Sequence, residues 1–182
     1  MTQQRPLRFG ILGAGMIAGD EDGFLPNLTT LGDKVEITTV ADVVPEHAQR
    51  IAQRFGINTV HESLDEMLRD DRVEAVANLT PISVHAETSM RILRSGRHLL
   101  SEKPLATTLE EADALIEEAE RQDVVFVCAP PDTLYAQYRE ARRLIDEGRI
   151  GQVCFARVRS SHGGPGGAPD GWPFDPTWFY QP

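Results

Sequence analysis

Short apolar runs alternate with helical patterns along most of this chain, and no other feature narrows its fold as far. Leu7–Leu12 ends at Gly13 and Val35–Ala41 ends at Asp42, and both read as buried strands. Thr59–His61 is a shorter run, and residues 73–79, 97–101 and 124–128 complete a series of six. Helical segments lie between them. Pro45 suits a first turn, Ala48, Ile51, Ala52 and Phe55 share a face, and Gly56 supplies a C-terminal cap. Ser63 and Glu66 stand at capping-box spacing, residues 85–95 form a helix stopped by Gly96, and Thr108 and Glu111 make a second box. The helix after that second box is expected to bury Leu109, Ala112, Ile116 and Ala119. Strands separated in this way by helices pair in parallel and carry helices on both faces. The fold class is therefore α/β, a doubly wound parallel sheet that ends near residue 128.

Length and charge narrow the rest. A chain of 182 residues holds one core of ordinary size, and what remains is too short for a second such domain. We therefore expect a first domain over residues 1–128 and, over 129–182, the start of another that is not completed. In that second stretch Leu134, Tyr138, Ala141 and Ile145 mark a helix closed by Gly148, and residues 153–159 read as a strand. Residues 162–182 are rich in glycine and proline and carry Trp172, Phe174, Trp178, Phe179 and Tyr180. A hydrophobic share of 41% and a charged share of 25% belong to a soluble globular protein. The first residues run into a strand without the apolar stretch of a signal peptide or membrane span, so a cytoplasmic location and no membrane partner are expected. A net charge of -10 with no basic stripe argues against nucleic acid. Cys128 and Cys154 lie far apart and outside any C-x-x-C spacing, so both read as ordinary strand cysteines, with neither a disulfide nor a metal site.

The chemistry concentrates at the ends of the strands. Gly13-Ala14-Gly15-Met16-Ile17-Ala18 fits G-x-G-x-x-A directly after the first strand, where two glycines let the backbone turn and approach a pyrophosphate at a helix N-terminus. A plain glycine turn between strand and helix is the alternative. Asp42, at the end of the second strand, can accept both hydroxyls of an adenosine ribose and would repel a 2′-phosphate. Val43 and Val44 bring no cation there, so NAD is expected rather than NADP; a solvated loop carboxylate is the other reading. In such a sheet the ligand crosses the carboxyl ends of the strands at the switch point between the first and fourth. The nicotinamide would then extend over Thr80-Pro81 and Glu102-Lys103-Pro104. Lys103 and Lys34 are the only lysines among 18 basic residues, and a lysine here can bind a substrate hydroxyl and stabilise an alkoxide as hydride leaves. A surface lysine before a turn is the alternative. A cis bond before Pro104 would aim Lys103 inward.

These motifs together resemble the glucose-fructose oxidoreductase and inositol dehydrogenase family, written Gfo/Idh/MocA. The resemblance is carried by Gly13 to Ala18, by Val40-Ala41-Asp42, by Thr80-Pro81 with His85, by Leu144-Ile145-Asp146 with Gly148 and Ile150-Gly151, and most specifically by Ser95-Gly96-Arg97-His98-Leu99-Leu100-Ser101-Glu102-Lys103-Pro104-Leu105-Ala106. It implies a Rossmann domain followed by the truncated start of an α+β domain with a mainly antiparallel sheet, which binds substrate and forms homo-oligomers. It further implies a small-molecule sugar, inositol or related polyol as substrate. Under it Lys103 is the active-site lysine, Glu102 a contact on the nicotinamide side, and Thr80 and Pro81 part of the cofactor wall. His85 lies close to the nicotinamide end by the same resemblance; a helix N-terminal histidine packed under a loop is equally open. Two departures stand out. Gly19-Asp20-Glu21-Asp22-Gly23-Phe24 is longer and more acidic than the family's helix start, and its carboxylates are expected to point to solvent. The segment that would carry the catalytic base is missing, with Asp132 or His162 as less favoured substitutes, so the chain reads as the N-terminal portion of an enzyme. A dinucleotide-binding module without turnover is the rival reading.

Overall fold

The computed structural model describes residues 5–19, 23–129 and 134–159. Its elements in chain order are β1 (Leu7–Leu12), α1 (Met16–Gly19), α2 (Phe24–Thr29), β2 (Val35–Ala41), α3 (Pro45–Phe55), β3 (Thr59–His61), α4 (Leu64–Arg69), β4 (Ala75–Asn78), α5 (Ile82–Arg94), β5 (His98–Ser101), α6 (Leu109–Gln122), β6 (Phe126–Cys128) and α7 (Ala136–Asp146). The chain divides into two units, Met1–Asp132 and Thr133–Pro182. The first contains a sheet of six strands in the order β3-β2-β1-β4-β5-β6, with every neighbouring pair parallel. This is the doubly wound Rossmann order, and its direction reverses between β1 and β4 as expected.

Alternation along the central strands sorts the core into two layers. Phe9, Ile11, Val40, Ala75 and Ala77 face one side, with Ala18, Leu25, Ala48, Ile51 and Ala52 packed over them. Leu12, Ala41 and Val76 face the other, beneath Leu64, Met67, Ile92, Leu93, Leu115 and Ala119. Side chains at successive strand positions point to opposite faces, so a strand buried on both sides must be apolar at every position. Thr39 breaks that rule: it is wholly buried in β2, and its Oγ1 meets no hydrogen-bond partner among the described residues. An orphaned buried hydroxyl costs about 1–3 kcal/mol, and removing it in a side chain of the same shape returns that cost. Thr39→Val is therefore expected to raise the urea midpoint, by the equivalent of about 1 kcal/mol, with an unchanged denaturant slope. A lower midpoint would show that this hydroxyl is satisfied after all.

The caps form as read, with one change of partner. Gly56 closes α3 in the left-handed conformation at φ 67°, and Ala48, Ile51 and Ala52 are buried. Thr108 and Glu111 make a complete capping box at α6. At α4 the Ser63 hydroxyl accepts the Glu66 amide, but the Glu66 carboxylate accepts the amide of Glu62. Helix α5 begins three residues earlier than expected, at Ile82, with Pro81 as its cap.

Two expectations fail. In α6 Ala119 is buried as expected and Ala112 half-buried, but the other buried residues are Leu115 and Glu118, while Leu109 and Ile116 are exposed. The helix is turned by roughly a quarter from the apolar stripe because its inward face includes a satisfied carboxylate. Glu118 accepts from the Arg121 guanidinium at 2.9 and 2.6 Å and from Gln122, and Gln122 reaches the Arg94 carbonyl that ends α5. The Arg121 contact holds the Glu118 carboxyl down at about 2. Residues 153–159 form no strand, and Cys154 among them is an exposed free thiol. An extended segment becomes a strand only when a neighbour takes up its N–H and C=O groups, and no described residue pairs with this one.

In the second unit α7 is followed by Gly148 at φ 67°, as read. Leu134, Tyr138 and Ile145 are exposed, and the polar side is laced by Arg142 to Asp146 and by Arg143 to Glu140 and Glu147. The acidic residues 20–22, Asp132, His162 and the aromatic tract over 162–182 lie outside the described residues.

Candidate functional site

Register alone assembles the site. Ala41 pairs with Leu12, Leu12 with Asn78, Asn78 with Ser101, and Ser101 with Cys128, so one row crosses the sheet at its carboxyl edge. Every residue expected to carry chemistry follows that row by a few positions: Asp42 after β2, the glycine loop after β1, Thr80, Pro81 and His85 after β4, and Glu102 and Lys103 after β5. With neighbouring strands about 4.8 Å apart, the path from β2 to β5 is roughly 14 Å.

The glycine loop is held from both sides. The Gly13 amide donates to the Ala41 carbonyl at 2.9 Å, and the residue sits at φ 93° with its open hydrogen face against the Leu79 carbonyl. A β-carbon on Gly15 would meet nothing within 4 Å among the described residues. No packing among them accounts for glycine there, whereas close approach of a phosphate from outside does. Met16, Ile17 and Ala18 form α1, in which Ala18 is buried and Ile17 exposed. This helix has four residues, too few for a substantial macrodipole, so the loop amides themselves are the available anion donors. That refines the expectation of a helix N-terminus.

Asp42 does more than end β2. Its Oδ2 accepts the Ala14 amide at 2.7 Å and its Oδ1 accepts the Val44 amide at 2.8 Å, so one carboxylate ties the glycine loop to the turn before α3. Each oxygen retains a lone pair for a ribose hydroxyl. Val43 is exposed and brings no charge, as read, but His47 on α3 places Nδ1 3.8 Å from Asp42 Oδ1. The sequence reading overlooked this group; its signal was a histidine five residues beyond the carboxylate, in the first turn of the following helix.

At the β4 and β5 ends a polar cluster lies under the surface. Thr80 donates its amide and hydroxyl to Asn78 Oδ1 at 3.2 and 2.8 Å. His85, 2% exposed, faces Thr80 with Nδ1 and Ser101 and Glu102 with Nε2. Of the two readings of His85, burial beneath a loop is what the geometry has. Glu102 accepts the Lys103 amide on Oε2 at 2.8 Å, and the Lys103–Pro104 bond is cis. Lys103 is exposed, and no carboxylate among the described residues pairs with it. Cys128 ends β6 beside this cluster, its thiol pushed up by burial and by Glu102. Asn78 went unnoticed in the sequence, as did the contact of Ser101 with His85. The available signal was an amide and a hydroxyl at the last positions of otherwise apolar runs, since buried polar groups persist where they are bonded.

A parallel sheet in this order, with a glycine loop after β1 and a braced carboxylate after β2, defines a dinucleotide-binding domain. The chain matches, over residues 7–144, the Gfo/Idh/MocA family, described as an oxidoreductase family with an NAD-binding Rossmann fold, and it belongs to that family. It is 28% identical over 154 residues to scyllo-inositol 2-dehydrogenase (NAD(+)) of Bacillus subtilis, covering 84% of this chain and 44% of that protein. Among solved structures it is similar to the WlbA dehydrogenase of Bordetella pertussis in complex with NADH and UDP-GlcNAcA, with a TM-score of 0.74, 26% identity, and coverage of 84% of this chain and 43% of the other. It is also similar to KijD10, a 3-ketoreductase of Actinomadura kijaniata in complex with NADP and TDP-benzene, with a TM-score of 0.70, 32% identity and coverage of 81% and 44%. The chain thus spans less than half the length of these relatives.

Proposed function

We propose that this chain is the cofactor-binding part of an NAD-dependent oxidoreductase that transfers hydride between nicotinamide and a secondary alcohol of a sugar, inositol or related polyol. The observation that carries the reading is the row at the carboxyl edge of the sheet, where the glycine loop, Asp42, Thr80 and Lys103 follow paired residues of neighbouring strands. Bound NAD would supply the hydride acceptor. Gly13, Gly15 and Met16 to Ala18 offer a close backbone to a pyrophosphate, with the amides at its disposal those of Gly15, Met16 and Ile17, since Gly13 and Ala18 donate within the chain, and Asp42 offers acceptors to the ribose. Thr80 and Pro81 wall the nicotinamide half, with Glu102 beside it. Lys103, free of an ion pair among the described residues, orients the substrate hydroxyl and stabilises the developing alkoxide. The proton goes to a base outside the described residues. NAD is favoured over NADP because Asp42 presents negative charge where a 2′-phosphate would sit, although relatives carry either cofactor.

Residues 129–182 begin the substrate and oligomerisation domain in this proposal. Self-association belongs to it on the strength of the family resemblance, and a cytoplasmic location is proposed with it. No helix among the described residues is long and apolar enough to cross a membrane.

The test is Lys103→Ala in the protein extended to the length of its relatives. Loss of one donor to the transition-state oxygen lowers kcat by about 10²- to 10³-fold with little change in NADH affinity. Unchanged turnover of the best polyol substrate would remove Lys103 from the reaction. NADH binding with no hydride exchange against a broad sugar panel would leave a binding module without turnover.

A further inference from the structure

Asn78, Ser89 and Ser101 are wholly buried and His85 nearly so, an unusual concentration of polar side chains beneath one edge of a parallel sheet. Asn78 Nδ2 donates to the Thr88 and Ser89 hydroxyls at 2.9 Å each and lies 3.2 Å from the His85 carbonyl. Asn78 thereby fixes the first turns of α5, from which His85 projects. The His85 ring then spans the gap between two loops. Nδ1 lies 3.2 Å from both the carbonyl and the hydroxyl of Thr80. Nε2 lies 2.8 Å from the Glu102 carbonyl and 2.8 Å from Ser101 Oγ.

The proton can be followed through this set. A carbonyl only accepts, and each ring nitrogen faces one, Glu102 at 2.8 Å from Nε2 and Thr80 at 3.2 Å from Nδ1; the shorter contact puts the proton of the neutral ring on Nε2. Nδ1 is then an acceptor that the Thr80 hydroxyl, 3.2 Å away, serves by turning its one proton from Asn78 Oδ1. That hydroxyl also lies 2.8 Å from Asn78 Oδ1, which keeps the Thr80 amide as a second donor whichever way the hydroxyl turns. An apolar side chain in this place would leave the buried Ser101 hydroxyl and the Glu102 carbonyl without this contact. What the ring adds is a directional tie between the segment after β4 and the carbonyl immediately before Lys103.

We infer that His85 is a positioning residue that holds the Glu102 carbonyl through Nε2–H and so sets the direction in which Lys103 leaves the sheet. This rests on the oxidoreductase reading for its purpose, since Lys103 needs a set direction only if it meets a substrate. The tie itself is independent of that reading. Glutamine at position 85 carries a donor about as far out as Nε2, whereas asparagine reaches only as far as Nδ1. His85→Gln therefore keeps the bond to Glu102, and His85→Asn keeps only the side facing Thr80.

The experiment exploits the two lysines. Reductive methylation of the 182-residue chain with labelled formaldehyde gives separate methyl resonances for Lys34, Lys103 and the terminal amine. In His85→Asn the Lys103 resonance moves while Lys34 stays, and in His85→Gln both remain at the wild-type positions. In the extended protein the asparagine variant loses about 10²-fold in kcat with unchanged NADH affinity, and glutamine restores most of it. An unmoved Lys103 signal in the asparagine variant, or equal behaviour of the two variants, overturns the inference. Long-range nitrogen–proton spectra of the wild-type ring test it without any variant: protonated Nε2 with bare Nδ1 is expected, and a proton on Nδ1 alone overturns it. A chain that binds no NADH yet shows the expected lysine shifts sinks the oxidoreductase reading and keeps the tie. NADH binding with an indifferent Lys103 does the reverse.

Discussion

Gly13→Ala is expected to destabilise the chain by about 2–5 kcal/mol and to abolish NADH binding, while Gly15→Ala leaves stability unchanged and weakens binding alone. At Gly13 two costs add. A φ of 93° lies beyond the small left-handed region open to side chains, and a β-carbon would stand 2.7 Å from the Leu79 carbonyl oxygen and 2.8 Å from its carbon. These are backbone atoms at the end of a central strand and cannot swing aside. Relieving the clash must shift β1 against β4 and disturb the Thr80 amide 3.2 Å away. A domain with about 5–15 kcal/mol in hand loses a large part of its stability to such a change. Gly15 is the opposite case, since its added methyl meets no atom of the described residues within 4 Å. The methyl would occupy the space through which a phosphate approaches, and a loss of roughly 10- to 100-fold in affinity corresponds to about 1.4–2.8 kcal/mol. Urea unfolding and NADH fluorescence titration on the two variants separate the effects. Wild-type NADH affinity in Gly15→Ala would mean that the loop does not cradle a phosphate.

The same pair shows how much of the molecule was legible beforehand. Glycine loop, Asp42 and Lys103 could be placed on one edge from the chain alone, because alternating strands and helices admit few topologies and the strand ends then fall in line. That inference needs no side-chain detail. The layer beneath resists such reading. Asn78 and Ser101 look like interruptions of apolar runs, and only the pairing of β4 with β5 reveals that they face one histidine together. Helix α6 misleads for a related reason. Leu109 and Ile116 make a convincing stripe, yet Glu118 can turn inward because Arg121 and Gln122 satisfy it, and no hydrophobic pattern registers a satisfied carboxylate. Residues 153–159 have the composition of a strand, but pairing is a property of two segments and composition of one.

Asp42 is where the local and the functional readings meet, and its removal is the second large effect expected. In Asp42→Ala the Ala14 and Val44 amides lose their acceptor, so even before a cofactor arrives the glycine loop loses its tie to the turn before α3 and keeps only the Gly13 bond to Ala41. Bonds to a charged acceptor contribute about 1.5–3 kcal/mol each, and losing the ribose contact together with the brace lowers NAD affinity by roughly 10²- to 10⁴-fold. NADP responds differently, since the same substitution removes the repulsion of its 2′-phosphate and leaves His47, now 3.8 Å from the carboxylate, as the nearest polar ring. The ratio of NAD to NADP affinity is therefore expected to collapse toward unity or invert, with NADP binding falling far less than NAD. Asp42→Asn sharpens the test: its amide keeps one acceptor but turns a donor toward one of the two backbone N–H groups, so it cannot restore the brace. Side-by-side titration of both cofactors against the three proteins decides the matter. Equal losses for NAD and NADP would make Asp42 a structural brace alone, and a selective loss of NAD would give the carboxylate its second role in reading the ribose.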